Sequence, residues 1–171
     1  MPGRLSGKAC VITGTGGSIG RATALTFARE GASVVGCDVA VEPAETTLSL
    51  VKAGGGEMVS LQPCVVSDPT DCAALVDIAI QTFGRIDVLF NLAGRSHFGP
   101  VEDVTDEDWD DARRDEVDVI FYPTRAAWPH LIASGGVVVN MASLNDTASD
   151  RAPDTESPDA EPDGLPAQSG E

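Results

Sequence analysis

The sequence predicts an α/β protein in which a parallel sheet is wrapped by helices on both faces. Short, continuously apolar runs alternate with stretches of helical periodicity, and glycines follow most of the helical stretches. A Gly-rich loop also separates the first apolar run from the first helix. Continuous apolar runs are typical of strands buried on both faces, and their alternation with helices is typical of a doubly wound sheet.

The pattern predicts five strands and four helices. The strands are expected at residues 9–12, 33–37, 58–62, 86–90 and 137–141, and the helices at residues 19–30, 43–53, 69–83 and 106–133. Asp68 before Pro69 is a favourable start for the third helix, and Thr105 with Asp108 approximates a capping box before the fourth. Pro123 and Pro129 are expected to bend or interrupt that fourth helix.

The charge of the chain excludes two classes of partner. Acidic residues number 27 against 11 basic ones, so the net charge is −16 and the pI is near 4.2. Nucleic acid and anionic membranes are bound by basic faces, so neither is expected as a partner. No apolar run approaches the roughly 20 residues that span a bilayer, and the first residues do not resemble a signal peptide, so a cytoplasmic location is expected.

The cysteines do not form a recognisable metal motif. No pair has C-x-x-C spacing, and both histidines are distant from all four in sequence. We therefore predict no metal site, and interpret the four residues as small buried hydrophobes in a reducing compartment, namely Cys10, Cys37, Cys64 and Cys72.

The alternating pattern stops near residue 145. Leu165 is the only large apolar residue beyond that point, and residues 148–171 contain one Arg against seven Asp and Glu. Such a segment buries too little apolar surface to offset its ordering entropy. We expect a nucleotide-binding domain over residues 1–146 and a disordered, acidic, Pro-rich tail over residues 147–171. The tail is either the product of a truncated or frame-shifted reading or a natural acidic interaction segment.

The Gly-rich loop, residues 13–20, predicts a dinucleotide site. It lies between a strand and a helix, where free N–H groups and the helix dipole favour a pyrophosphate. Asp38 lies 24 positions after Gly14 at the end of the second strand, near the offset at which a carboxylate meets the adenosine ribose. A carboxylate there repels a 2′-phosphate, and no Arg or Lys follows it in residues 39–41, so NAD is predicted over NADP.

Several motifs in order resemble the short-chain dehydrogenase/reductase family, a Rossmann-type fold. Residues 13–20 resemble its T-G-x-x-x-G-x-G loop with Ser18 at one glycine, and residues 91–94 resemble its N-N-A-G with Leu92 at the second Asn. Trp109 and the Ala-x-x-Pro ending at Pro129 match its long helix, and residues 138–143 resemble its strand leading to a serine. The resemblance covers residues 5–144. It implies a Rossmann-type doubly wound parallel sheet of which about five strands are present and the C-terminal strands are missing.

The resemblance implies the roles of the site residues. The loop would hold the pyrophosphate, Asp38 the adenosine ribose, residues near the fourth strand the nicotinamide-side ribose, and Ser143 the substrate carbonyl. Val65 stands where the family has an adenine-contacting Asp, and the Val66 N–H remains as a contact. The cofactor residues so implied are Gly14, Gly16, Gly17, Ser18, Ile19, Gly20, Asp38, Val66, Asn91, Ala93 and Gly94.

The family's catalytic Tyr and Lys have no counterpart in this sequence. The Y-x-x-x-K motif should follow Ser143 by about a dozen residues, yet Tyr122 is the only Tyr, and Lys8 and Lys52 are the only Lys residues. Glu116 stands where the family has a relay Asn. The resemblance implies an NAD-linked oxidoreductase of secondary alcohols or ketones, inactive or impaired as this chain. A homo-oligomer is the family's assembly, and the missing C-terminal part would compromise it.

Two other hypotheses remain open at this stage. The chain could be a non-catalytic dinucleotide-binding module, which would bind cofactor without reducing a carbonyl, or a non-functional fragment, which would neither bind nor fold cooperatively. If turnover occurred, its proton donor would have to be recruited among Ser143, His97, His130 and Glu116. Nothing in the sequence identifies a substrate beyond this class.

Overall fold

The architecture is that of a parallel sheet between two layers of helices. A computed structural model describes residues 3–97 and 99–143 of the chain. One compact unit ends at Met141, and a second begins at Ala142. The expected domain boundary at residue 146 and the expected tail lie outside the described residues.

Five parallel strands form the sheet, as the alternating pattern predicts. Their order across the sheet is β3-β2-β1-β4-β5. The strand β1 is therefore central, with β2 and β3 on one side of it and β4 and β5 on the other. Within the register, Val11 of β1 pairs with Val35 of β2 and with Leu89 of β4. The strands are β1 (Ala9–Thr13), β2 (Ser33–Cys37), β3 (Glu57–Leu61), β4 (Val88–Asn91) and β5 (Val137–Asn140).

Helices cover both faces, which confirms the doubly wound class. The helices are α1 (Ser18–Arg29), α2 (Val41–Ala53), α3 (Pro69–Phe83), α4 (Asp106–Arg113) and α5 (Val119–Ser134). Side chains alternate across β1: Val11 packs in the cluster that contains α3 and α5, while Cys10 and Ile12 pack in the cluster that contains α1 and α2. Each face of the sheet therefore has its own apolar core.

The predicted helix boundaries are confirmed by their caps. The Asp68 carboxylate accepts from the Thr70 N–H at the start of α3, and Gly84 ends that helix in the left-handed conformation. Thr105 and Asp108 make both bonds of a capping box before α4. These bonds satisfy backbone groups that a helix terminus otherwise leaves unpaired.

The predicted single helix over residues 106–133 differs from the structure in its middle. A π-helical segment, Arg114–Asp118, separates α4 from α5, whereas Pro123 and Pro129 lie inside α5 without interrupting it. A proline lacks the N–H that bonds the carbonyl four residues earlier and crowds that carbonyl. The carbonyl four residues before Pro123 is that of Val119, and the π-helical segment ends directly before this residue, so the irregularity lies upstream of the proline.

Asp87 ties the amino ends of β1 and β4 together. It is 3% exposed, and its carboxylate accepts from Lys8 Nζ at 3.0 Å, Arg85 Nε at 2.7 Å and the Ala9 N–H at 3.0 Å. Burial by itself raises the pKa of Asp87, but these donors outweigh it and hold that pKa below its ordinary value. A buried carboxylate thus fixes the edge of the sheet opposite the Gly-rich loop.

Within the described part of the chain, the strand β5 lies at the edge of the sheet and is poorly covered. It pairs with β4 on one side, and Val137 and Val139 are 55% and 45% exposed. The exposed edge of the sheet is therefore apolar at this strand. In the described part of the chain, no helix is long and apolar enough to cross a membrane.

Candidate functional site

A cleft lies at the carboxyl edge of the sheet, at the point where the strand order reverses between β1 and β4. In parallel α/β sheets this is the point at which loops diverge and leave a crevice. The cleft has a volume of about 410 Å³. Its lining comes from the Gly-rich loop, the ends of β2 and β4, and the segment after β3, namely Gly14, Gly17, Ser18, Ile19, Gly20, Cys37, Asp38, Val39, Cys64, Val66, Leu92, Ala93 and Gly94.

The Gly-rich loop is held tightly against the sheet. Gly14 has a φ of +77°, and the Gly14 and Thr15 N–H groups both donate to the Cys37 carbonyl, at 2.9 and 3.0 Å. A Cβ on Gly20 would overlap the Gly14 carbonyl oxygen, so the first turn of α1 can approach the loop only with glycine there. The amino end of α1 consequently opens directly into the cleft.

The first turn of α1 has the donors that an anion requires. Gly17 is the N-cap residue and has no side-chain cap bond, and Ser18 is the first residue of the helix. Backbone N–H groups at a helix start carry partial positive charge and lack helical partners. Among the described residues, the lining of the cleft contains no Lys or Arg. An anion there would be held by backbone groups and the Ser18 hydroxyl.

Asp38 is fixed on both of its oxygens. Oδ2 accepts from the Gly16 N–H at 2.8 Å, and Oδ1 accepts from the Ala40 N–H at 2.8 Å. A carboxylate oxygen has room for a second hydrogen bond, so both oxygens can still accept from a ligand hydroxyl. Of the residues described in the structure, Asp38 is the only one that brings a charged side chain to the lining of the cleft. Its position favours a ligand that presents hydroxyl donors rather than a second negative charge.

Thr13 joins the loop to the segment after β4. Its buried hydroxyl oxygen accepts from the Leu92 N–H at 3.0 Å and from the Ala93 N–H at 2.9 Å. A Cβ on Gly14 would be 3.2 Å from the Ala93 nitrogen, so the two backbones approach closely. This contact brings residues 92–94 to the same cleft as the Gly-rich loop.

Asn91 is turned away from this lining. Its Nδ2 donates to Thr124 Oγ1 at 3.0 Å and to Asn140 Oδ1 at 2.9 Å. Its Oδ1 is buried and has no hydrogen-bond partner in the described part of the chain. The Asn91 side chain therefore joins β4 to α5 and β5, while its two successors, Leu92 and Ala93, face the cleft.

The predicted site residues are distributed unevenly around the cleft. Gly16 lies behind the lining and contacts Asp38, and Asn91 lies behind it as just described. Ser143 follows the end of β5 by three residues, is exposed, and belongs to the second unit. The predicted residues that line the cleft are Gly14, Gly17, Ser18, Ile19, Gly20, Asp38, Val66, Ala93 and Gly94.

Sequence reasoning missed the apolar wall of the cleft. Cys37 and Cys64 were expected only as buried hydrophobes, and all four cysteines are indeed free and buried. The hydrogen bond with Cys64 and burial hold the pKa of the Cys37 thiol well above its ordinary value, so Cys37 remains a protonated thiol. Val39 and Leu92 complete the wall. Their positions within two residues of the ends of β2 and β4 were the available signal, since carboxyl ends of parallel strands meet at one edge.

The loop after Gly94 is anchored on the π-helical segment. The Arg95 N–H donates to the Asp115 carbonyl at 3.3 Å, and His97 Nε2 lies 2.9 Å from Asp115 Oδ2. His97 is thus paired with a carboxylate rather than free in solvent. Glu116, at the place of the family's relay Asn, is exposed. Among residues 3–97 and 99–143, no group of three or more His, Cys, Asp or Glu could hold a metal ion.

Comparisons with known proteins find similar sequences and similar folds. A family model described as short chain dehydrogenase matches residues 8–150. The 3-oxoacyl-(acyl-carrier-protein) reductase of Thermotoga maritima is 37% identical over 144 residues, which cover 82% of this chain and 57% of that protein.

Two solved structures have similar folds. The first, NAD+-bound xylitol dehydrogenase, has a TM-score of 0.77 at 34% identity, covering 88% of this chain and 57% of its own. The second, carveol dehydrogenase from Mycobacterium avium in complex with NAD, has a TM-score of 0.77 at 26% identity, covering 82% of this chain and 56% of its own. The chain therefore spans a little over half the length of the proteins it matches.

Proposed function

The chain belongs to the short-chain dehydrogenase family, and from this premise we propose that its cleft binds NAD or NADH. The observation that supports the proposal best is the pairing of Asp38 with Gly16 at 2.8 Å beside the open amino end of α1. A sugar-binding carboxylate and a phosphate-binding helix start lie next to each other there. That is the donor and acceptor set that the adenosine half of a dinucleotide requires.

The proposal assigns each part of the dinucleotide to residues of this chain. The amino end of α1 and the Ser18 hydroxyl bind the pyrophosphate, and Asp38 accepts from the adenosine ribose hydroxyls. The apolar wall around Cys64 and Val66 contacts the adenine. Ala93 and Gly94 border the nicotinamide-side ribose, and Asn91 supports them from behind.

The preference for NAD over NADP follows from charge. A 2′-phosphate would lie against the Asp38 carboxylate, and the cleft lining within residues 3–97 and 99–143 supplies no Arg or Lys to offset that repulsion. Two similar solved proteins are described as complexes with NAD, which supports the same assignment.

We propose hydride transfer between a secondary alcohol or ketone and the cofactor as the reaction to which this site is suited. The nicotinamide supplies or accepts the hydride, and the protein must move a proton to or from the substrate oxygen. Ser143 would orient that oxygen. The similar proteins are named as a reductase of 3-oxoacyl groups and as dehydrogenases of xylitol and carveol, which favours this substrate class.

The proton donor is the weak part of the site. Tyr122 is half-buried in α5, with its ring 5.5 Å from that of Phe121. Lys8 bonds to Asp87 before β1 begins, so the five residues of β1 separate it from the Gly-rich loop by roughly 15 Å. Neither residue can serve as the family's Tyr and Lys do. We therefore expect cofactor binding with little or no turnover from the 171 residues of this chain.

A titration with NADH and NADPH tests the proposal. We expect saturable NADH binding, detected by nucleotide fluorescence, with an affinity at least about tenfold above that for NADPH. Asp38→Ala should weaken NADH binding and bring the two affinities together. Asp77→Ala on the exposed side of α3 removes the same charge away from the cleft and should change neither. Equal affinities for the two nucleotides in the unmodified protein would remove the NAD assignment.

The two alternative functions make different predictions in the same experiment. A ligand that binds only the native state raises the melting temperature. A non-catalytic module therefore shows an NADH-dependent rise in melting temperature without oxidation of NADH by a panel of ketones. A non-functional fragment shows no rise. Turnover with any ketone would overturn the expectation of impaired chemistry.

A further inference from the structure

We propose that Arg21 is a positioning residue that fixes Asp38 through the Gly-rich loop and thereby sets the selectivity for a free 2′-hydroxyl on the nucleotide. The inference rests on the proposed dinucleotide function. It adds a specificity determinant that is not part of the lining of the cleft.

Arg21 connects the loop to α2. Its Nη2 donates to the Gly16 carbonyl at 3.4 Å and to the Pro43 carbonyl at 3.3 Å, and its Nε donates to Thr47 Oγ1 at 3.0 Å. Arg21 is itself fixed in the first turn of α1, where its N–H bonds to the Gly17 carbonyl at 2.9 Å. One guanidinium thus joins α1, the Gly-rich loop and α2.

Thr47 also holds the Gly-rich loop in place. It is fully buried, and its hydroxyl donates to the Thr15 carbonyl at 2.8 Å while it accepts from Arg21. The peptide between Thr15 and Gly16 is therefore held at its oxygen by Thr47 and at its nitrogen by Asp38. The next peptide is held at its oxygen by Arg21. Both peptide planes that flank Gly16 have a fixed orientation.

Asp38 depends on that orientation. A Cβ on Gly16 would be 2.9 Å from Asp38 Oδ2 and 3.0 Å from the Pro43 Cβ, so Gly16, Asp38 and Pro43 are in close contact. If the peptide between Thr15 and Gly16 turned, the Gly16 N–H would leave Asp38 Oδ2, and only the bond from the Ala40 N–H to Oδ1 would remain. A carboxylate held by one bond samples more orientations, and its bonds to the ribose hydroxyls would weaken.

The contacts of Arg21 indicate a geometric role. In the described part of the chain its partners are two carbonyls and one hydroxyl, with no carboxylate within ion-pair distance. A planar guanidinium can serve three acceptors in fixed directions, whereas an ammonium on a flexible stem cannot hold the same set. Lysine at this position should therefore replace arginine only in part.

The experiment compares Arg21→Met, Arg21→Lys and Thr47→Val with Arg29→Met. Arg29 is exposed at the end of the same helix and makes no side-chain bond in the described part of the chain, so its variant controls for loss of charge on α1. Kd values for NADH and NADPH are measured by fluorescence titration, and the melting temperature is measured without ligand.

We expect Arg21→Met to raise the Kd for NADH about tenfold while the Kd for NADPH changes less than about threefold, so the selectivity ratio falls. NADPH gains nothing from Asp38 and is repelled by it, which is why its affinity should be insensitive. The Kd of Arg21→Lys for NADH should lie between those of Arg21→Met and the unmodified protein. The Kd values of Arg29→Met should match those of the unmodified protein. Thr47→Val should also lower the selectivity for NADH over NADPH, and it provides the test if Arg21→Met does not fold.

The outcomes separate this inference from the proposed function. If the unmodified protein binds NADH selectively and the Arg21 and Thr47 variants lower the melting temperature without changing the NADH to NADPH ratio, the role of Arg21 is structural alone and the inference is overturned. If the unmodified protein binds neither nucleotide, the proposed function falls and this inference falls with it.

Discussion

The close approach of α1 to the Gly-rich loop depends on a single residue, Gly20. The loop, Asp38 and the cap of α3 could be anticipated because each is a local pattern in which spacing and residue type imply a backbone geometry. The roles of Thr13 and Arg21 could not be anticipated in the same way. Thr13 bonds residues about 80 positions away, and Arg21 bonds Thr47 across two elements. Contacts of this kind depend on the packed arrangement of the elements.

We predict that Gly20→Ala weakens NADH binding at least about tenfold and lowers the free energy of unfolding by about 2 kcal/mol, because the added methyl overlaps the Gly14 carbonyl oxygen and must displace the loop. Gly54→Ala is the matched control. A Cβ there would make only ordinary contacts of 3.5 Å at the end of α2, far from the cleft. Chemical denaturation and NADH titration check both effects. Unchanged NADH affinity in Gly20→Ala would contradict the role of this close contact.

The strands and helices were predictable to within one or two residues at most boundaries, because apolar runs, caps and glycines mark them in the sequence. The exception is the region from α4 to α5. Pro123 and Pro129 indicated a bend or an interruption at their own positions, yet the irregular turn is at Arg114–Asp118. A proline acts on the carbonyl one turn earlier, and where that strain is relieved depends on the packing of the preceding turn.

Asp87, between α3 and β4, joins two strands and makes a pH-dependent contribution to stability. Its pKa in the folded protein lies below the ordinary value, so its stabilising effect is present above the unfolded pKa of about 3.9 and is lost as the pH falls through the lower folded pKa. We predict that Asp87→Asn lowers the free energy of unfolding at pH 7 by about 2 kcal/mol, since it leaves Lys8 and Arg85 without their carboxylate.

The difference between Asp87→Asn and the unmodified protein should shrink as the pH falls below about 4, because the unfolded state then takes up a proton that the folded state binds only at a lower pH. Denaturation curves between pH 3 and pH 7, which bracket the ordinary Asp pKa of about 3.9, measure this. Asp77→Asn makes the same change of charge at an exposed position on α3 and should leave the curves unaltered. A pH-independent difference for Asp87→Asn would mean that the residue acts through packing rather than through its charge.

At the scale of the whole molecule, an apolar strand edge and a strongly negative charge have opposite effects on self-association. The edge strand β5 exposes Val137 and Val139, and the neighbouring helix α5 exposes Trp128 and Ile132 at 52% and 67%. An uncovered strand edge offers unpaired N–H and carbonyl groups to a second chain. The net charge of −16, in contrast, drives copies apart. Salt screens the repulsion without weakening the apolar contact, so ionic strength should decide which effect dominates.

We predict that the protein self-associates increasingly as salt rises, and that Val139→Lys suppresses this because the charge at the edge must be buried for two copies to pair. Val104→Lys is the matched control, since Val104 is also 45% exposed but lies in the connection before α4. Sedimentation velocity at low and high salt measures the mass of the species in each case. A monomer with a sharp two-state melt at all salt concentrations would show that the exposed edge of β5 does not cause self-association. Equal suppression by both lysine variants would show that net charge rather than the strand edge controls association.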